Sequence, residues 1–286
     1  MRVLALTFLA VCGAVPEPQS EVQYDRDVVY GKATGEEMKL NLARPKDAQG
    51  PLPAVVILAG GGWKGAGRKD LMDRFTQEFG RRGYVAATVD TRSTPEHVFP
   101  HQVEDAKCAV RFLRANAQKY GVDPQRIGAV GFSAGGHLAL MLGVLTKEDG
   151  FEGDGGWAEQ PSQANAVVAF CGPTNFTTAN PSNGGNFEFF LGAKRKDNPE
   201  LYKKASPITY VKKGTAPMLL IQGTMDDMVP YTQATEMAAA LTAVGVPGRV
   251  ELLFGAGHRW GGDEWNRTLE EAYAFCDLHL KAPPKK

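Results

Sequence analysis

The chain has 286 residues, 43% of them hydrophobic, and its 32 Lys plus Arg balance its 32 Asp plus Glu. That supplies material for one sizeable core, with no shift in composition to mark a second domain. A net charge of zero provides no field that would draw the protein to nucleic acid or to an anionic membrane surface.

From the N-terminus, Met1-Arg2 precedes the apolar run Val3 to Val11, which is too short to span a bilayer, and then Cys12-Gly13-Ala14 and a polar stretch from Pro16. This pattern reads as a secretory signal cleaved after Ala14, so a secreted or periplasmic protein without an integral membrane span is expected. Leu9-Ala10-Val11-Cys12 also resembles a lipoprotein box, which leaves lipid anchoring open behind ordinary secretion; the alternative to both is a disordered or buried N-terminal segment of a cytoplasmic protein. With Cys12 removed, Cys108, Cys171 and Cys276 remain. None has C-x-x-C spacing, so no zinc site or disulfide framework is indicated and burial as small hydrophobes is expected.

A single domain is expected over residues 21–282. Strand-like runs occur at Val22 to Tyr30, Met38 to Ala43, Ala54 to Ala59, Val85 to Val89, Ile127 to Phe132, Ala166 to Cys171, Met218 to Gln222 and Val250 to Phe254. Several are continuously apolar, as strands covered on both faces are. Helices are predicted over 71–82, 100–120, 134–145, 232–244 and 264–280. In the second of these Val103, Ala106, Val110, Leu113 and Ala117 recur at steps of three and four. The alternation implies a doubly wound, mostly parallel eight-stranded sheet with helices on both faces and its chemistry at the carboxyl ends of the strands. The connection 172–216 breaks the rhythm and reads as a lid-like insertion. Its Phe187-Glu188-Phe189-Phe190 run has two readings: Phe189 and Phe190 line an acyl or alcohol pocket, or the phenylalanines anchor the insertion to the core.

The chemistry is carried by Gly-Phe-Ser-Ala-Gly at 131–135. A strand that turns sharply into a helix holds such a serine in a strained conformation with its hydroxyl thrust outward, and the glycines stand where side chains would clash. Ser133 is therefore the candidate nucleophile, and it needs a histidine to take its proton and a carboxylate to orient that histidine. His97 and His101 precede the serine and read as loop residues, His137 lies beside the elbow helix, and His279 reads as a solvated helix face. His258, in Phe254-Gly255-Ala256-Gly257-His258, stands on a glycine-broken loop past a strand end and is the expected base. The run Met218 to Gly223 leads into a turn with two carboxylates, of which Asp226 is preferred as the acid and Asp227 as a residue that caps or shapes the turn.

These motifs resemble the α/β-hydrolase superfamily, and within it the carboxylesterases related to hormone-sensitive lipase and to bacterial acetylxylan and feruloyl esterases. Gly60-Gly61-Gly62-Trp63 resembles the HGGGW oxyanion loop, Pro95 to Pro100 the PEH-x-FP stretch, Gly223 to Pro230 the GT-x-D-x-x-VP acid turn, and Gly255 to His258 the GAGH base motif. The resemblance implies an oxyanion hole from the N–H groups of Gly61, Gly62 and Ala134, with Trp63 beside the substrate. It also implies hydrolysis of small-molecule or polysaccharide-linked esters without metal or organic cofactor. The family's histidine before the glycines is Ala59 here, which puts the rigidity of the loop in question. The N-terminal helical cap of some relatives has no room, so an open site is expected. Two other classes share parts of the pattern: a serine peptidase of the prolyl-oligopeptidase kind, and a non-catalytic binding protein on a hydrolase scaffold.

Overall fold

The computed structural model describes residues 20–65, 70–178 and 184–281. The leader expected at 1–14, the lipoprotein-like Cys12, any N-terminal cap and the tail beyond Lys281 lie outside the described residues. Eight strands, β1 (Val22–Ala33), β2 (Glu36–Pro45), β3 (Leu52–Leu58), β4 (Val85–Val89), β5 (Val122–Phe132), β6 (Val167–Phe170), β7 (Met218–Gly223) and β8 (Gly248–Leu253), form one sheet in the order β1-β2-β4-β3-β5-β6-β7-β8. The pairs β1–β2 and β2–β4 are antiparallel and the others parallel. Each expected strand has its counterpart. β5 begins five residues before the expected Ile127, because Leu52 of β3 pairs with Val122 although the intervening Asp123-Pro124-Gln125-Arg126 is polar.

Strands β4, β6 and β7 are buried along their whole length, as continuous apolar runs require when helices cover both faces. In β3 alternate side chains enter opposite layers. Val55 and Ile57 join Phe75 and Phe79 of α1 (Asp70–Arg81) and Tyr273 of α8 (Gly262–Cys276). Val56 and Leu58 join Val103 and Val110 of α2 (His101–Ala115) and Leu138 to Leu142 of α4 (Ala134–Val144). Every residue of α4 is buried, which is why that helix is apolar all round.

The helix predicted over 100–120 is divided at Asn116, whose side-chain amide and backbone N–H both donate to the Phe112 carbonyl, and one turn, α3 (Ala117–Tyr120), follows. His101 is corrected from a loop position to the first residue of α2, its Nδ1 2.7 Å from the carbonyl oxygen of Val98. His279 is likewise corrected from a solvated face: it is half-buried with its ring 4.4 Å from that of Phe275. The connection 172–216 contains two helices that periodicity did not signal, α5 (Gly184–Leu191) and α6 (Pro199–Lys204). They are too short to display a stripe. Phe176, Phe187, Phe190, Leu191, Tyr202 and Ala205 from this connection are integral to the main core, so it is fastened down along most of its length. After it come α7 (Thr232–Ala243), packed on β7 and β8, and then α8. Cys108, Cys171 and Cys276 are free and buried, in keeping with their reading as small hydrophobes.

Candidate active site

Ser133 occupies the bend between β5 and α4 at φ 52 and ψ −117, a region that non-glycine residues adopt only when their surroundings enforce it. The enforcement is visible. The Ser133 N–H donates to the Phe170 carbonyl at 2.7 Å, and a Cβ at Gly131 would collide with the backbone of Gly135, while one at Gly135 would collide with that of Leu58. Close packing of strand against helix is thus what the two glycines permit.

The structure brings His258 and Asp226 to this serine across 125 and 93 residues of sequence. His258 Nε2 lies 2.9 Å from Ser133 Oγ, and His258 Nδ1 lies 2.8 Å from Asp226 Oδ2. The Asp226 carboxylate is shut away from solvent and held by three further donors. Its Oδ1 accepts the N–H groups of Met228 at 2.9 Å and Val229 at 2.8 Å, and its Oδ2 accepts the amide of Gln222 at 2.7 Å. Asp227 points into exposed surface instead, because the turn leaves one carboxylate facing inward and the next outward. The acid turn and the base loop are stitched together by Thr224 N–H to the Leu253 carbonyl, Met225 N–H to the Ala256 carbonyl and Gly255 N–H to Thr224 Oγ1. Burial alone would lower the His258 pKa, but hydrogen bonds and charge from Asp226 and Cys171 outweigh it and raise the imidazole above its ordinary value. With Nδ1–H committed to a carboxylate, Nε2 faces the hydroxyl as a proton acceptor.

Opposite the histidine, Gly61, Gly62 and Trp63 take consecutive positive φ values of 124°, 65° and 60°. This run curls the backbone around the elbow, and Gly61 and Gly62 line the cleft beside Ser133. Ala134 begins α4, where the first N–H groups of a helix have no intrahelical acceptor, and it borders a small recess beneath Gly60 and Trp63. The dipole of α4 adds positive potential at the same point.

A cavity of about 790 Å³ surrounds Ser133 and His258. One wall carries Phe132, Phe170, Trp260 and Trp265, and the other Trp63 and Phe187. Trp63, expected beside the substrate, does border the cavity, yet only 7% of it is exposed, and it is stacked on Phe190 with ring centroids 4.2 Å apart. The reading of Phe190 as a pocket residue is corrected. It is fully buried behind Trp63, because α5 turns its 190 position toward the core. Phe189 also lies outside the cavity, half-exposed, with Lys64 Nζ 4.9 Å from its ring centroid. Phe187 is the member of this run that lines the cleft. Sequence reasoning also missed Trp260 and Trp265, although both flank the histidine motif at short spacing. Cys171, at the end of β6, lines the cavity as well. Its sulfur, a carboxylate oxygen of Asp226 and a ring nitrogen of His258 all lie within 4.8 Å of one another, the one such three-donor cluster among the described residues.

The family model described as BD-FAE matches residues 40–241. Among curated proteins the chain is similar to esterase LipC of Mycobacterium tuberculosis, with 30% identity over 278 residues, 93% of this chain and 66% of the relative. The chain spans about half to two thirds of the length of the first curated relatives it matches. Among solved structures it is similar to the propionate-bound thermophilic esterase Est2 of Thermogutta terrifontis, with TM-score 0.75 and 30% identity over 95% of this chain and 98% of that one. It is also similar to a truncated carbohydrate esterase from gut microbiota, with TM-score 0.76 and 25% identity over 92% and 99% of the two chains.

Proposed function

We propose, for a chain that belongs to the BD-FAE family of α/β-hydrolase carboxylesterases, that Ser133, His258 and Asp226 hydrolyse short-chain acyl esters through an acyl-enzyme. The observation that carries this reading is the unbroken hydrogen-bond line from Ser133 Oγ through both nitrogens of His258 to Asp226, at 2.9 and 2.8 Å. Ser133 attacks the ester carbonyl while His258 takes its proton. The oxyanion is held by the N–H groups of Gly61, Gly62 and Ala134, and protonated His258 then delivers its proton to the departing alcohol. Water enters by the same route and frees the acid. Asp226 keeps the ring in the tautomer that leaves Nε2 free to accept, and stabilises the imidazolium.

The apolar cavity walls favour acyl groups without charge, and Est2 of Thermogutta terrifontis has been solved with propionate and with butyrate bound. The likeness to a carbohydrate esterase makes acetyl groups on polysaccharide the first class to test. We read the compartment as secreted or periplasmic on the leader-like residues 1–14 alone.

Two experiments test the proposal. Ser133→Ala should remove nearly all hydrolysis of p-nitrophenyl acetate while its circular dichroism matches that of the parent; surviving turnover would exclude Ser133 as nucleophile. A series of p-nitrophenyl esters of increasing acyl length, run beside acetylated xylan, then ranks the substrate class.

A further inference from the structure

We propose that Cys171, Asp226 and His258 together form an inhibitory site for a soft divalent cation of the zinc type, so that metal and ester compete for one imidazole. The proposal rests on the reading of His258 as the base. Sulfur, nitrogen and carboxylate oxygen are the donors that zinc and cadmium take, and here they converge from three separate segments to within 4.8 Å of one another. Tetrahedral zinc with bonds of ~2.0 to 2.3 Å sets its donors roughly 3.3 to 3.6 Å apart, so the sulfur must approach by up to roughly an ångström while the Asp226–His258 pair, now at 2.8 Å, parts by about half an ångström, and water takes the fourth position. The loop that carries His258 contains Gly255, Gly257 and Gly261 and has the freedom to supply these shifts.

The placement of Cys171 is specific. Its backbone is held at φ 44, in the left-handed region, with its N–H donating to the Ile221 carbonyl at 2.8 Å. From there the thiol reaches the base loop and donates to the carbonyl oxygen of His258 at 3.5 Å. Strain of this kind persists where the surrounding structure over-determines it, and it gathers at functional sites. An entry path exists, since Cys171 and His258 both line the cleft.

Inhibition follows because the cation takes Nδ1, the ring nitrogen on the Asp226 side; a cation on Nε2, which faces Ser133, could not also reach the Asp226 carboxylate. At Nδ1 it replaces the proton shared with Asp226, and the neutral ring then carries its one hydrogen on Nε2, which no longer accepts. Binding forms a metal–sulfur bond and breaks the S–H bond, with the proton released to buffer. Magnesium and calcium prefer all-oxygen ligands and are not bound here.

The test is a Zn²⁺ titration of p-nitrophenyl acetate hydrolysis by the full chain, with Mg²⁺ as control and EDTA to reverse, repeated for Cys171→Ser and expressed against each protein's own metal-free rate. Zn²⁺ should inhibit the parent reversibly, and the half-inhibiting concentration should rise by at least about tenfold in Cys171→Ser, since even an outer partner of a metal ligand is worth that much. Equal sensitivity of the two proteins, or no inhibition of the parent, overturns the proposal. Should Cys171→Ser fail to fold, Co²⁺ added to Ser133→Ala should give a thiolate-to-metal charge-transfer band that Zn²⁺ displaces, and its absence overturns the proposal equally. That readout needs no turnover, whereas failure of the triad reading appears as hydrolysis surviving in Ser133→Ala.

Discussion

The indole N–H of Trp63 donates to Nδ1 of His137 at 3.3 Å, joining the glycine loop to the elbow helix inside the core. Indole is a donor only, so Nδ1 of His137 accepts and the ring proton sits on Nε2, which donates to the Ala205 carbonyl at 2.9 Å. One imidazole thereby ties the glycine loop, α4 and the 172–216 connection together. Ala59 stands where the HGGGW motif that this loop resembles has histidine, and the Trp63–His137 pair with the Phe190 stack behind it holds the loop here.

Trp63→Phe keeps an aromatic ring on Phe190 but strips His137 Nδ1 of its donor in a fully buried site. A cost of about 1–3 kcal/mol in urea unfolding is expected, the scale of an unsatisfied buried acceptor. The loosened loop should lower kcat by less than the ~10²–10³ lost with an oxyanion donor itself. An unchanged kcat and an unchanged midpoint would show that the pair anchors nothing.

Burial holds His137 neutral by pushing its pKa down from 6.5 to about 4, against a smaller opposing effect of the Ala205 carbonyl. Between those values the unfolded chain binds a proton that the folded chain refuses. The stability is therefore complete above the ordinary histidine range and lost as pH falls toward 4, by roughly 3 kcal/mol over the whole window. Unfolding free energies measured down this pH range should fall less steeply in His137→Gln than in the parent, and parallel slopes would refute the assignment.

The acid limb of kcat/KM should lie above the ordinary imidazole range, since protonated His258 cannot accept from Ser133 and Asp226 favours the protonated ring. Asp226→Asn removes one of the two supports and leaves Cys171 alone to oppose burial. Its limb should move to lower pH while the rate falls by about 10⁴, the scale of a lost triad acid. Stopped-rate profiles on p-nitrophenyl acetate decide this, and a limb that stays where it was would mean that another group sets it.

Phe190→Ala and Phe189→Ala should behave as opposites although the residues are adjacent. The first empties a fully buried space behind Trp63 and should cost about 3–5 kcal/mol. The second truncates a half-exposed ring outside the cleft and should fall within about 0.5 kcal/mol of the parent. Phe187→Ala is the member of the run expected to change acyl-length preference, read as kcat/KM across the ester series.

Much of the site is legible in the chain because its chemistry needs particular residues at short range. Ser133 is marked by glycines two positions away on either side, Asp226 by the turn that follows an apolar strand, and His258 by the glycines before it. The doubly wound sheet is likewise written in the alternation of apolar runs with helical periods, since burial on two faces leaves no room for polar residues. Local pattern could not separate Phe187, Phe189 and Phe190, three neighbours that enter the cleft, the solvent and the core. Nor could it announce that Cys171 would reach the base loop or that Trp63 would find His137. Those pairings join residues tens of positions apart and depend on where one strand end or helix face meets another, a geometry set by packing of the assembled layers and carried by no segment alone.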